Sequence, residues 1–120
     1  MTNSLLENQS IFSGTQLVSS NGAYFLVVQE DGNLVLYVSS HFVPANAIWS
    51  SKTNGRGCAP YKLILQSDGN LVLYDKTNAP LWASNTVGKF ANERLIVQND
   101  GNLVLYDGNN KAIWASNTNR

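Results

Sequence analysis

Three runs of the sequence set the same residue types at the same alternating spacing. They are Gln29, Asp31, Asn33, Val35 and Tyr37; Gln66, Asp68, Asn70, Val72 and Tyr74; and Gln98, Asp100, Asn102, Val104 and Tyr106. The carboxylate of such a set can accept two hydroxyl protons, the Asn and Gln amides can both donate and accept, and the Tyr hydroxyl can do either. Adjacent hydroxyls of a pyranose match that inventory, and the Val methyls can lie against ring C–H groups. Bonds to the ionised Asp would be the strongest of them. An axial hydroxyl directs its oxygen differently from an equatorial one, so the set can discriminate epimers by leaving its own polar groups unpaired when the sugar is wrong.

That chemistry needs the alternating residues on one face, so the elements that carry them decide whether a site can exist. The runs lie in near-identical units at 29–37, 66–74 and 98–106, which differ only at Glu30, Ser67 and Asn99. Each unit follows a short apolar run rich in β-formers and precedes a tryptophan segment containing Trp49, Trp82 or Trp114. The interval from Tyr37 to Trp49 is longer than those in the other two repeats, so the first repeat carries a longer loop within 38–47, holding His41 and Pro44. No stretch has helical periodicity over three turns. Turn chemistry recurs at Asn21-Gly22, Asn54-Gly55 and Asp107-Gly108, with Asn78-Ala79-Pro80 in the corresponding place of the second repeat. An internally repeated, all-β chain is expected.

Two hairpin registers are open. A two-residue Asp-Gly turn puts Gln29 on the face opposite Asn33, because a slip of one residue swaps faces. A three-residue loop, with Gly32 in the left-handed region, pairs Gln29 with Asn33. The residues four before each Gln are Phe25, Lys62 and Arg94. The two-residue turn would set both cations among the leucines, which is costly, so the three-residue loop is preferred. One face then carries Gln29, Asn33, Val35 and Tyr37 with Asp31 at the turn. The other carries Leu26, Val28, Leu34 and Leu36 and their copies Leu63, Leu65, Leu71, Leu73, Leu95, Val97, Leu103 and Leu105, a core shared by three sheets.

At 120 residues the chain is expected to form one domain over 1–120. Eight basic and eight acidic residues cancel, which gives no reason to expect nucleic acid or an anionic membrane as partner. Cys58 is the single cysteine, so no intrachain disulfide can form. Residues 1–10 have neither a basic start nor an apolar run of signal length, and nothing downstream approaches a membrane span. Cytosolic synthesis is expected, with export independent of a signal peptide as the alternative; use of the Asn8-Gln9-Ser10 sequon is not expected. No Ser/His/Asp set is available, and no second carboxylate stands at a fixed place near Asp31, so no enzyme is expected. The Asp-x-Asp-x-Asp-Gly spacing of a calcium loop is missing, and no metal or other cofactor is expected.

Three copies of Gln-x-Asp-x-Asn-x-Val-x-Tyr, each followed by Trp-Ser-Ser or Trp-Ala-Ser-Asn-Thr, resemble the bulb-type, or snowdrop-type, mannose-binding lectin family over about residues 13–118. The resemblance implies a β-prism II fold: three four-stranded antiparallel sheets about a pseudo-threefold axis, with Trp49, Trp82 and Trp114 near the centre. It implies that Gln29, Asp31 and Asn33 bind the O2 and O3 hydroxyls of mannose, Tyr37 the O4 hydroxyl and Val35 the C3–C4 face. The second and third motifs would repeat these roles, without a metal. Plant members put a cysteine where Gly32 stands, paired with one near Cys58, so the chain resembles a disulfide-free member from outside the plants. The resemblance further suggests a homodimer that exchanges the C-terminal strand near 112–117. Single sites of this kind are expected to bind one sugar at about millimolar level, roughly 4 kcal/mol, with multivalency supplying the working avidity of an agglutinin. The leading expectation is recognition of mannose and mannose-terminated glycans or glycoproteins, in defence or glycan recognition. The rival is a protein-interaction or structural module, such as a cytoskeleton binder, that keeps the prism without depending on sugar.

Overall fold

The structure, a computed structural model, describes residues 2–88 and 93–120. Among the described residues twelve strands follow one another: β1 (Ser4–Leu6), β2 (Ser10–Phe12), β3 (Gln16–Val18), β4 (Phe25–Val28), β5 (Leu34–Tyr37), β6 (Ala47–Ser50), β7 (Lys62–Leu65), β8 (Leu71–Tyr74), β9 (Pro80–Ala83), β10 (Arg94–Val97), β11 (Leu103–Tyr106) and β12 (Ala112–Ala115). One short 3-10 turn, Pro44–Asn46, lies in the long loop of the first repeat. The strands form three four-stranded sheets ordered β3-β4-β5-β6, β2-β7-β8-β9 and β1-β10-β11-β12. Each repeat thus contributes a three-stranded meander, and the N-terminal segment deals one short strand to each sheet.

The three-residue hairpin loop is the register observed. Val28 pairs with Leu34, and the Gln29 amide donates to the Asn33 carbonyl at 3.0 Å. Gly32, Gly69 and Gly101 have φ of +93°, +93° and +90°, a conformation that costs glycine little and other residues more. Alternation from these turns sends one side chain in two to the prism interior. All twelve Leu and Val residues expected there are 0 % exposed. At roughly 1.5–3 kcal/mol per buried aliphatic side chain, they supply most of the drive for assembly. Trp49, Trp82 and Trp114 pack against this core in mutual edge-to-face contact, each pair 5.4 Å apart between ring centroids. A Leu73→Ala change should leave a cavity where three sheets meet and lower stability by about 2–5 kcal/mol in denaturant titration.

Two local details go beyond the repeat pattern. In the turn after β11, Gly108 is not the left-handed residue; Asn110 is, at φ 64°, and Asn78 takes the same role after β8. Asparagine tolerates that region because its short side chain bonds locally. The outward face of the first sheet is also covered. Phe25, Val27, Val35 and Tyr37 are at most 8 % exposed and cluster with Val18. Lys62 and Ile64, which occupy the positions of Phe25 and Val27 in the second sheet, are only half-buried.

Candidate functional site

The structure brings the five motif residues of each repeat to one place, on the outer face of each meander at its hairpin. The turn itself is held by the Asp. Asn33, Asn70 and Asn102 donate their backbone N–H to Asp31, Asp68 and Asp100 Oδ1 at 3.0, 3.0 and 2.9 Å. The backbone carbonyls of the same Asp residues accept from Gly55, Gly88 and Arg120 N–H, so the segment after each tryptophan strand clamps the turn.

Each Asn has its two ends assigned different work. Asn33 Oδ1 accepts from the Ser51 hydroxyl at 3.1 Å and the Thr53 amide at 3.2 Å. Asn102 Oδ1 accepts from Ser116 and Thr118 in the same way, and Asn70 Oδ1 from Ser84, Asn85 and Thr86. Backbone donors can only meet an oxygen, which settles the amide orientation. The Nδ2 groups have no partner among the described residues and so keep their donor capacity. The Ser hydroxyls also accept from Leu34, Leu71 and Leu103 N–H, tying the Asn anchor to the ladder.

The Gln–Tyr pair differs between repeats. The Tyr37 hydroxyl donates to Gln29 Oε1, and Gln29 Nε2 donates to both Asp31 carboxylate oxygens at 3.1 and 3.2 Å, forming a closed relay. In the other repeats Gln66 and Gln98 turn Nε2 to the hydroxyls of Tyr74 and Tyr106, which keep their own protons to give. Burial, and then the charge of Asp31, raise the Tyr37 pKa above its ordinary value, so Tyr37 acts as a neutral hydroxyl. Val35, Val72 and Val104 are each 3 % exposed and offer only a methyl tip at the floor. Lys62 lies 5.7 Å from the Tyr74 ring centroid and Arg94 5.0 Å from that of Tyr106, whereas Tyr37 stacks on Phe42 at 4.9 Å.

Several residues of these sites were not singled out from the sequence. The Ser and Thr anchors were visible as a recurring Trp-x-Ser-x-Thr pattern. Beneath the hairpins, a Cβ on Gly32 would meet Tyr61, one on Gly69 would meet Glu93, and one on Gly101 would meet Tyr24. Each turn therefore rests on a residue from the next repeat in cyclic order, and nothing local in the sequence marks those pairs. His41 and Cys58 are exposed loop residues. Among the described residues no group of three His, Cys, Asp or Glu side chains is placed to hold a metal ion.

No family model matches the sequence. Solved structures do. The chain superimposes on monomeric monocot mannose-binding lectins from Gastrodia elata with a TM-score of 0.87 and 41 % identity, over 99 % of this chain and 100 % of that one. It superimposes on the mannose-specific agglutinin of snowdrop, Galanthus nivalis, solved with methyl α-D-mannoside, with a TM-score of 0.78 and 36 % identity over 98 % of both chains. A curated relative, Comitin of Dictyostelium discoideum, is 51 % identical over 78 residues; the match spans 63 % of this chain and 42 % of Comitin. Three sheets of one repeated motif, with overall identity of this size across whole lectin chains, place this protein in the bulb-type, or monocot, mannose-binding lectin family with the β-prism II fold.

Proposed function

We propose that the chain is a mannose-recognising lectin with three sites: Gln29, Asp31, Asn33, Val35 and Tyr37; Gln66, Asp68, Asn70, Val72 and Tyr74; and Gln98, Asp100, Asn102, Val104 and Tyr106. The observation that carries the reading is the threefold recurrence of an Asn whose oxygen is used up by the fold while its N–H donors face outward beside an Asp carboxylate. A pair of vicinal hydroxyls can accept from the Asn and donate to the Asp at once. The Tyr hydroxyl extends the set to a third oxygen. The ligand is proposed to be terminal mannose on glycans or glycoproteins, bound without a metal, with avidity supplied by several weak sites. β12 closes its ladder on β11 of its own chain. A homodimer exchanging β12 would rebuild that ladder between copies and double the number of sites.

Affinity chromatography tests the proposal. The protein should be retained on mannose-agarose and released by methyl α-mannoside but not by galactose. Passage of the folded protein in the flow-through would favour a protein-interaction module instead.

A further inference from the structure

We propose that the first site is a two-part site, in which Phe42 and Pro44 form an apolar subsite for a ring attached to the sugar held by Gln29, Asp31 and Tyr37. The inference rests on the sugar-binding reading above and adds to it a ligand preference that the other two sites do not share. It begins with the chain itself. Repeats two and three close the turn after Tyr74 and Tyr106 tightly over an Asp: Asp75 Oδ1 accepts from Thr77 and Ala79 N–H at 2.9 and 3.0 Å, and Asp107 Oδ1 from Asn109 and Lys111 N–H, both at 2.9 Å. The first repeat has Val38 at that position and a longer loop. The loop folds back over the outer face of its sheet, where the 3-10 turn at Pro44–Asn46 and a bond from Asn46 Nδ2 to the His41 carbonyl at 2.8 Å fix its course.

This loop delivers an aromatic ring to the site. Phe42 stacks on Tyr37 with ring centroids 4.9 Å apart and meets the edge of Phe25 at 5.6 Å, yet it remains 40 % exposed. Phe25 and Tyr37 fix the ring's position while part of its surface stays open to solvent. A groove of about 500 Å³ lies between Phe42, Pro44 and Val27 and opens onto Gln29, Asp31 and Tyr37. That volume falls within the roughly 300–1,000 Å³ of sites that enclose small ligands, and it joins hydrogen-bonding groups to an aromatic wall. A ligand with hydroxyls at one end and an apolar ring face at the other fits this pairing. The ring face can be the C–H side of a second sugar or an aryl group attached to the first. In repeats two and three, Lys62 and Arg94 lie over the tyrosines, and no equivalent of Phe42 exists in the sequence.

The test confines binding to the first site with the double change Asp68→Asn and Asp100→Asn. Calorimetric titration then compares methyl α-mannoside, p-nitrophenyl α-mannoside and an α-linked mannobiose. At least one of the latter two should bind about three- to tenfold more tightly than methyl mannoside, the size expected of one ring contact. Adding Phe42→Ala should bring the ratio close to one, and Phe42→Leu, which keeps apolar bulk but not a flat face, should give an intermediate value. A gain for mannobiose identifies the second sugar as the occupant; a gain for the aryl mannoside alone identifies an apolar aglycone. The subsite is overturned if neither ligand gains, if the gain survives Phe42→Ala, or if Phe42→Ala tightens all three ligands alike, which would make Phe42 a shield. It is also overturned if the unaltered protein binds methyl mannoside and the double variant does not. If the unaltered protein binds none of the three, the mannose reading itself fails.

Discussion

Changing Asp31, Asp68 and Asp100 together to Asn should abolish retention on mannose-agarose while leaving the fold intact. Asparagine is chosen because each Asp holds its turn through Oδ1, which accepts the backbone N–H two residues on. An asparagine oxygen can keep that bond, whereas alanine would remove it and confound binding with turn stability. What asparagine loses is the charge and one acceptor oxygen that sugar hydroxyls would use, and at residue 31 one of the two contacts from Gln29 Nε2. A hydrogen bond to a charged group is worth about 1.5–3 kcal/mol, so each site should weaken roughly ten- to a hundredfold. Sites that begin near millimolar affinity would then be effectively silent. Unchanged tryptophan fluorescence should accompany the loss, because Trp49, Trp82 and Trp114 report on the prism centre. A triple variant that still bound mannose-agarose, with release by methyl mannoside, would remove these carboxylates from the site.

The second large effect concerns Glu93, which is 1 % exposed and lies under the turn of the second site. Neither of its carboxylate oxygens has a hydrogen-bond partner among the described residues. Tyr24 and Tyr61 fill the equivalent places under the other two turns. Burial, followed by the charges of Glu7, Asp68 and Asp107, pushes the Glu93 pKa from 4.5 up to about 7. The folded state therefore holds this proton more tightly than the unfolded state. The stabilising contribution is fully present below about pH 4.5, declines as pH rises, and is lost above about pH 7. A shift of this size corresponds to about 3 kcal/mol. Melting curves of Glu93→Gln should lie near those of the unaltered protein at pH 5 and above them at pH 8. Parallel pH dependence of the two proteins would show that Glu93 carries no such linkage.

The legible part of this protein is local. Period-two alternation and the cost of burying Lys62 and Arg94 were enough to choose the hairpin register, and that register put Gln29, Asn33, Val35 and Tyr37 on one face. The same alternation identified all twelve interior Leu and Val residues, because a strand that buries one face leaves little freedom in which side chains go inside. The turn after β11 was less legible, since both Gly108 and Asn110 can adopt a left-handed conformation and only the backbone path selects Asn110.

What the sequence alone determined was the nine-residue unit: its strand-turn-strand form, its two faces and the set of polar groups at each site. Tertiary structure decided which of those groups remain available. The oxygen of Asn33 is used by Ser51 and Thr53, and those of Asn70 and Asn102 by their counterparts, because a third strand returns alongside the hairpin. The sequence marked the first repeat by its longer loop, but how the three sites differ was decided in three dimensions. The long loop that follows the first motif folds back to lay Phe42 on Tyr37, and the cyclic packing of repeats puts Glu93 where the other turns meet tyrosine. Both contacts join residues from different elements, so no local periodicity encodes them, and they exist only once the leucine faces have closed the prism.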